Sequence, residues 1–333
     1  MTDRFPFTDY PSGWYVVGLS AELPNESLRT VNYFGGDLVL YRTKSGVFRI
    51  SKSHCPHLGA HLGEGRVEGE HLRCGFHGWK YDGTGQCVRA YGQNVPKANA
   101  GIWPAIERNQ MLMAWYDGEG RAPTWEPPEL DTEGWTDFRF RKLSFASHPQ
   151  ETSENSVDFG HFAEVHTFIK AWVVNDAVPD GPVLRASYGI TRPIVPQLAK
   201  IAPGFSVDSV FHVQVHGLGY SLVQGELKAL KLKFRHLILS TPIGNGQIHM
   251  RVASAIQKYR SRAMTEMMHR VSLQGLNDEV ETDRAFWESK RYVERPVLAK
   301  GDGPIHVYRK WVKQFYPGGA GRDVGKVRLE QQP

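Results

Sequence analysis

The chain is short of cysteine, of net charge and of long apolar runs, and each shortage excludes something. Three cysteines in 333 residues cannot build a disulfide framework. Two of them sit in paired Cys/His motifs, so only Cys87 is spare and no disulfide forms without sacrificing a metal ligand. A reducing cytoplasm fits that usage. No apolar run approaches the length of a membrane span. Met1 to Tyr10 mixes acids and bases without the apolar core of a signal peptide. The net charge of +5, from 40 basic and 35 acidic residues, is modest and scattered. It argues against nucleic acid and suits a basic patch that docks an acidic partner protein. No internal repeat or low-complexity stretch is present, and the length allows two domains.

What is present is concentrated in two short stretches, Cys55-Pro56-His57 and Cys74-Gly75-Phe76-His77, separated by sixteen residues. A Cys-x-His pair followed by a Cys-x-x-His pair is the donor set of a Rieske [2Fe-2S] centre, two cysteines on one iron and two histidines on the other. Replacing two thiolates by neutral imidazoles lowers the negative charge and eases reduction, so the chemistry begins with one-electron transfer. A structural zinc site is the alternative for two cysteines and two histidines. Zinc fingers usually keep cysteines with cysteines and histidines with histidines, whereas here they alternate within glycine- and proline-containing loops. His54, His61 and His71 lack the spacing and read as surface or packing residues.

From Gly13 to Asp117 short β-branched and aromatic runs alternate with turns. Trp14 to Val17, Asp37 to Tyr41, Val47 to Ile50 and Met111 to Tyr116 are the expected strands, and Tyr81 to Gly85 is a turn. The Pro-rich stretch Ala122 to Pro128 marks a boundary. Beyond it Phe138 to Phe140 begins a strand, Glu151 to Lys170 reads mainly as helix, and Ala263 to Tyr292 is the longest helical stretch. Leu230, Leu232 and Phe234 alternate with Lys231, Lys233 and Arg235, a strand with one wet face in an antiparallel sheet.

The segment Glu154-Asn155-Ser156-Val157-Asp158-Phe159-Gly160-His161-Phe162-Ala163-Glu164-Val165-His166 carries two histidines five residues apart. On a straight helix they diverge by about 140°, so both can bind one ion only if the helix distorts, which Gly160 to Glu164 would allow. Nitrogen ligands with a carboxylate suit non-haem iron(II) with open positions for dioxygen. Alone, such a pair is more often packing or surface histidines than metal ligands. Beside an electron-accepting cluster, an iron site that consumes the electrons is the better account.

Taken together, the cluster motif, Glu154-Asn155-x-x-Asp158-x-x-His161-x-x-x-x-His166 and the C-terminal run resemble the catalytic (α) subunit of Rieske non-haem iron oxygenases, from Trp14 to about Tyr316. Phe286-Trp287-Glu288-x-Lys290-Arg291-Tyr292, Arg295-Pro296-x-Leu298, Asp302-Gly303-Pro304-Ile305 and Trp311-x-x-Gln314-Phe315-Tyr316 are similar to one branch. It holds 3-ketosteroid 9α-hydroxylase oxygenase components and Rieske cholesterol 7-desaturases. The resemblance implies an α+β chain, with an N-terminal all-β Rieske domain and a C-terminal helix-grip domain, an antiparallel sheet around a long helix. The expected boundaries are 13–120 and 129–317, with a linker at 121–128 and a mobile tail at 318–333.

It further implies that Cys55, His57, Cys74 and His77 hold the cluster, and that His161 and His166 hold the iron. Asp283, among the acids Asp278, Glu279, Glu281 and Asp283, satisfies the family's pattern of Asp, two residues, an apolar residue and Trp, and is the expected third ligand. Asp158 would be a buried acceptor linking His77 of one subunit to His161 of its neighbour in a head-to-tail homotrimer; its plain alternative is a helix-surface Asp. Asn155 either hydrogen-bonds near the iron or stabilises the helix.

The implied function is a terminal monooxygenase that uses O2 and electrons from NAD(P)H. A ferredoxin and/or flavin reductase would deliver them, and a bulky hydrophobic, steroid-like or polycyclic substrate would be hydroxylated. Arylamine N-oxygenation, desaturation and oxidative demethylation remain open on the same scaffold. A bare Rieske electron carrier would end after the first domain. The stretch Arg185 to Leu222, where pocket residues vary, identifies no substrate.

Overall fold

The computed structural model describes residues 4–92, 94–166, 168–193 and 206–318. Within the Arg185 to Leu222 stretch, residues 194–205 lie outside them, as does the expected tail beyond Gly318.

The N-terminal strands are β1 (Gly13–Leu19), β2 (Ser27–Tyr33), β3 (Gly36–Arg42) and β4 (Phe48–Lys52). β5 (Arg66–Glu68), β6 (His71–Arg73), β7 (Lys80–Tyr81) and β8 (Cys87–Arg89) follow around the cysteine motifs. β9 (Ile102–Trp103), β10 (Ala105–Arg108) and β11 (Met111–Tyr116) complete the set. They form three small antiparallel sheets, ordered β1-β11-β10, β2-β3-β4-β9 and β5-β6-β7-β8. All four strands expected here are present, because each is a β-branched or aromatic run ended by a turn. The Asp82 carboxylate closes the expected turn, accepting from the backbone N–H groups of Thr84 and Gln86.

The Pro-rich stretch has no regular structure but is strapped down. The Trp14 indole donates to the Trp125 carbonyl at 2.6 Å, and Arg108 and Asn109 donate to the carbonyls of Pro127 and Pro128.

In the second half come β12 (Arg139–Ala146), the short helices α1 (Pro149–Glu154) and α2 (Gly160–Val165), β13 (Lys170–Asp180) and β14 (Val183–Pro193). β15 (Ser206–His216), β16 (Tyr220–Leu227), β17 (Leu232–Gly244) and β18 (Gln247–Ile256) lead to the long helix α3 (Arg262–Ser289) and to α4 (Ile305–Trp311). The seven strands make one antiparallel sheet, ordered β12-β18-β17-β16-β15-β14-β13. β17 and β18 are joined by Asn245-Gly246, both at positive φ, the turn that matches the twist of a two-residue hairpin. α3 is capped by the Ser261 hydroxyl, which accepts from Met264 N–H. Its buried positions include Met268, Ser272, Leu276, Val280, Asp283 and Trp287, one helical stripe, packed over β12 and β18 through Phe145, Ile248, Met250 and Val252. This is the expected helix-grip arrangement.

Two expectations change. Glu151 to Lys170 is not one helix: α1 stops at Glu154, Asn155 to Phe159 leaves the helix, α2 takes up Gly160 to Val165, and Lys170 already starts β13. The interruption falls before Gly160, where Asn155 turns its side chain to Asp283 and Trp287, rather than within Gly160 to Glu164. Leu230 does not share a strand face with Leu232 and Phe234. Lys228–Leu230 form a 3-10 turn closed by Lys231 at φ 49°, which leaves Leu230 exposed.

The halves are joined by polar bonds as well as apolar packing. The buried Arg251 guanidinium donates to the Val16 carbonyl and to the Tyr33 hydroxyl, both at 2.9 Å, and Thr241 also donates to Val16. Trp14, Val16, Met113, Tyr220, Leu237 and Leu239 form a shared core beneath.

Burial pushes His148 down to about 3 and, with Arg185 nearby, His216 down to about 4. Both are neutral when folded but take up a proton near pH 6.5 when unfolded. Stability is therefore complete above that pH and falls as the medium is acidified toward the folded values. Each histidine should cost about 1 kcal/mol by pH 5.5, and His148→Gln should flatten the decline in Tm between pH 7.5 and 5.5. A Tm independent of pH across that window would contradict the assignment.

Candidate metal centres

The β5-β6-β7-β8 sheet and its loops bring the four cluster-motif residues to one end of the N-terminal half. Cys55 and Cys74 are buried together in the core with Leu62, Leu72 and Tyr81, whereas His77 is exposed and His57 half-buried. The imidazoles of His57 and His77 lie 4.7 Å apart by ring centroid, and Trp79 stacks on His57 at 4.3 Å. The two loops are built alike. Gly59 N–H donates to the Cys55 carbonyl and Gly78 N–H to the Cys74 carbonyl. Both glycines have positive φ, 74° and 70°. The loops also touch: a Cβ on Gly75 would sit 2.3 Å from the Glu64 carbonyl oxygen, so only glycine allows the approach.

This donor set fits a two-iron cluster better than one zinc ion. Four ligands of one tetrahedral ion must crowd together. Among the described residues, the only group of three or more acidic, His or Cys side chains with ligand atoms within 4.8 Å of one another is elsewhere. Buried thiols behind and surface imidazoles in front instead match a cluster whose irons are bound by different residue types.

The sequence pattern missed the Tyr81 hydroxyl, 2.9 Å from Cys55 Sγ. Burial and the sulfur keep its proton far above the ordinary phenol range, so toward a thiolate at Cys55 it is the donor. The pairing spans 26 residues with no motif to announce it. His54, His61 and His71 stay outside: the His61 ring accepts from Gly63 N–H, and His54 contacts Ser53.

The other group is His161, His166 and Asp283. His161 rides on α2, and His166 caps its end with non-helical φ −99° and ψ 4°. The turn out of the helix removes the angular divergence of a straight one. Asp283 comes from the buried stripe of α3. Its Oδ1 lies 3.2 Å from His166 Nε2 and 4.0 Å from His161 Nε2, with the imidazole centroids 5.0 Å apart. Asn155 donates from Nδ2 to the other oxygen, Oδ2, at 3.1 Å, and accepts from the Trp287 indole at 3.2 Å. Burial opposes charge on His166, but the bond to Asp283 wins and raises its pKa. A carboxylate that favours a proton there also favours a divalent cation, and two imidazoles with one carboxylate are the donors of a facial iron(II) site.

Asp158 sits beside His161 at the edge of this group. Its side chain is 34% exposed and its Oδ2 lies 3.6 Å from His161 Nδ1, too long for a hydrogen bond. That nitrogen is buried and has no hydrogen-bond partner among the described residues.

These residues face a cavity of about 1120 Å³ between α3 and the sheet. Phe162, Phe168, Tyr188, Phe211, Phe234 and Leu276 are among its lining.

Residues 13–99 match the Rieske [2Fe-2S] domain family, and residues 114–316 match the 3-ketosteroid 9alpha-hydroxylase C-terminal domain. Cholesterol 7-desaturase of Bombyx mori is 30% identical over 332 residues, spanning 92% of this chain and 70% of that protein. A 3-ketosteroid-9-alpha-monooxygenase oxygenase component of Rhodococcus rhodochrous is 27% identical, over 93% of this chain and 84% of that one. Among solved structures, dicamba monooxygenase bound to dicamba superposes with a TM-score of 0.66 at 20% identity. The match covers 91% of this chain and 96% of that one, a likeness of fold. The chain belongs to the Rieske non-haem iron oxygenases whose C-terminal domain is of the 3-ketosteroid 9α-hydroxylase type. It is an oxygenase component with a [2Fe-2S] cluster and a mononuclear iron as cofactors, using O2 and reductase-delivered NAD(P)H electrons.

Tyr81→Phe should lower the reduction potential of the cluster, because a hydrogen bond to sulfur favours the more negative, reduced form. Each kcal/mol of differential bonding corresponds to about 40 mV for one electron. Voltammetry on the purified protein measures this, and an unchanged potential would rule the contact out as a tuning element.

Proposed function

We propose that this oxygenase component hydroxylates a steroid or a comparably bulky fused-ring substrate. In this reading His161, His166 and Asp283 hold the iron, and Cys55, His57, Cys74 and His77 hold the cluster. The observation that carries the substrate class is the cavity. Its volume of about 1120 Å³ lies just above the roughly 300–1,000 Å³ usual for ligand pockets, and its walls are mostly aliphatic and aromatic. The three converging side chains are part of its lining, so a rigid apolar skeleton that fills it sets one carbon beside the metal position.

When bound, the two metal centres supply electrons and oxygen activation. The chain's residues supply the rest. Asn155, fixed by Trp287, takes up Asp283 Oδ2 and leaves Oδ1 facing the histidines. Phe162 and Phe168 pack beside His166 and keep water from the reacting carbon.

Residues 13–120 form the electron-accepting unit, 121–128 its strap and 129–317 the catalytic unit, with 318–333 a tail. The half-exposed Asp158 and the exposed His77 suit a contact between copies, in which Asp158 of one subunit meets His77 of the next in a homotrimer. A ferredoxin or flavin reductase docks on the cluster end, in the cytoplasm.

Desaturation is the second reading, favoured by the 30% identity to a cholesterol 7-desaturase. Mass spectrometry under labelled dioxygen separates the two. With NADH, a surrogate reductase and a steroid panel, hydroxylation gives one labelled oxygen in the product. Loss of two hydrogens without label identifies a desaturase, and labelled oxygen on the nitrogen of an arylamine with no steroid converted would overturn the proposal.

His161→Ala should abolish turnover while the cluster absorption persists. Loss of that absorption would sink the assignment of separate centres. Asp158→Ala should keep both metals yet stop turnover, and a normal rate would refute the bridging role.

A further inference from the structure

We propose that His236 donates a hydrogen bond to a carbonyl or hydroxyl oxygen of the substrate, at the end of the cavity remote from His161, His166 and Asp283. This station presupposes the fused-ring substrate proposed for the same cavity, and adds which end of that substrate is polar.

His236 lies on β17 and lines the cavity with Phe211, Phe234 and Leu273. Its Nε2 is 2.9 Å from Ser272 Oγ on α3. Ser272 Oγ is in turn 3.0 Å from the buried Ser254 Oγ on β18. His269 Nε2 lies 2.7 Å from the Ser254 carbonyl oxygen, which can only accept, so His269 donates there.

The direction of the chain follows from counting protons. Among the described residues the Ser254 hydroxyl has one partner, Ser272 Oγ, and must give it its proton. Ser272 then gives its own proton to His236 Nε2. Burial, with Arg192 and His269 nearby, holds His236 down to about 3, so its ring is neutral. A neutral imidazole that accepts at Nε2 carries its hydrogen on Nδ1. That N–H has no hydrogen-bond partner among the described residues, on a ring that borders the cavity.

An unused donor in an apolar wall costs free energy until an acceptor meets it. Arg192, whose charge bears on His236, is already paired with Glu279 at 3.2 Å. A neutral donor suits a neutral acceptor, a ketone or alcohol oxygen, rather than a carboxylate.

The distance from the metal position can be read along α3. Ser272 and Asp283 are eleven residues apart (283 − 272) on the same face. At about 1.5 Å rise per residue that is about 16 Å, three turns of helix. The held oxygen and the oxidised carbon therefore belong to opposite ends of a fused-ring skeleton, not to neighbouring positions of one ring.

The test is calorimetric titration of the anaerobic holoenzyme with two probes, androstan-3-one and androstane, which differ only in the ketone. The wild type should bind the ketone about tenfold more tightly, the value of one net hydrogen bond of about 1.4 kcal/mol. His236→Phe should erase that preference and leave androstane affinity unchanged. Ser272→Ala keeps the ring but releases its tautomer, and should lose at least half of the preference. Equal affinities in the wild type, or full preference in either variant, would overturn the donor role and leave the substrate class intact. Failure of both probes to bind would overturn the substrate class and the donor role together.

Discussion

Everything in the catalytic half is arranged around one buried carboxylate. Asp283 is 8% exposed, and a charge so withdrawn from water is tolerable only with partners. Asn155 and His166 provide them from a segment more than a hundred residues earlier in the chain. That pairing ties α3 to α1 and α2 across the cavity. It also coincides with the break in the helix, because Asn155, which holds Oδ2, stands where α1 ends. The histidines reach Oδ1 from the second helix, His161 within α2 and His166 where the chain leaves it.

The sheet gives this arrangement its rigidity and its empty space at once. Seven antiparallel strands hydrogen-bond their neighbours, so the sheet keeps its shape without filling every inward position. α3 covers β12 and β18, with Leu276 and Val280 packed against the sheet. Toward β15 and β16 helix and sheet part, and the aromatic wall of Phe211 and Phe234 borders the cavity. The polar line His269, Ser254, Ser272 and His236 runs into that wall and sets a hydrogen-bonding ring beside its aromatic side chains.

The cluster end follows a different logic. Its sheets are small, and the shape of its loops depends on glycine where two backbones touch, as at Gly75 against Glu64. Arg251, donating to Val16 and Tyr33, fixes this half on the large sheet without needing an acidic partner. A guanidinium that spends its hydrogens on a carbonyl and a phenol locks orientation as well as contact.

Much of this was written locally. The Cys-x-His and Cys-x-x-His pairs, the strands from Trp14 to Tyr116 and the stripe of α3 depend on neighbours a few residues away, so the sequence alone determined them. Asp283 was singled out among its acidic neighbours only by resemblance to the family's pattern before Trp287, and its meeting with the two histidines is a tertiary matter. Other features join residues far apart in the chain and had no local signature. Tyr81 on Cys55, Asn155 between Trp287 and Asp283, and the proton chain ending at His236 exist only because strands and helix pack as they do. Even the helix that ends at Glu154 reads locally as continuing, since its side chains permit either state. Tertiary structure fixes the break, because Asn155, where α1 ends, is held between the Asp283 carboxylate and the Trp287 indole of the distant long helix.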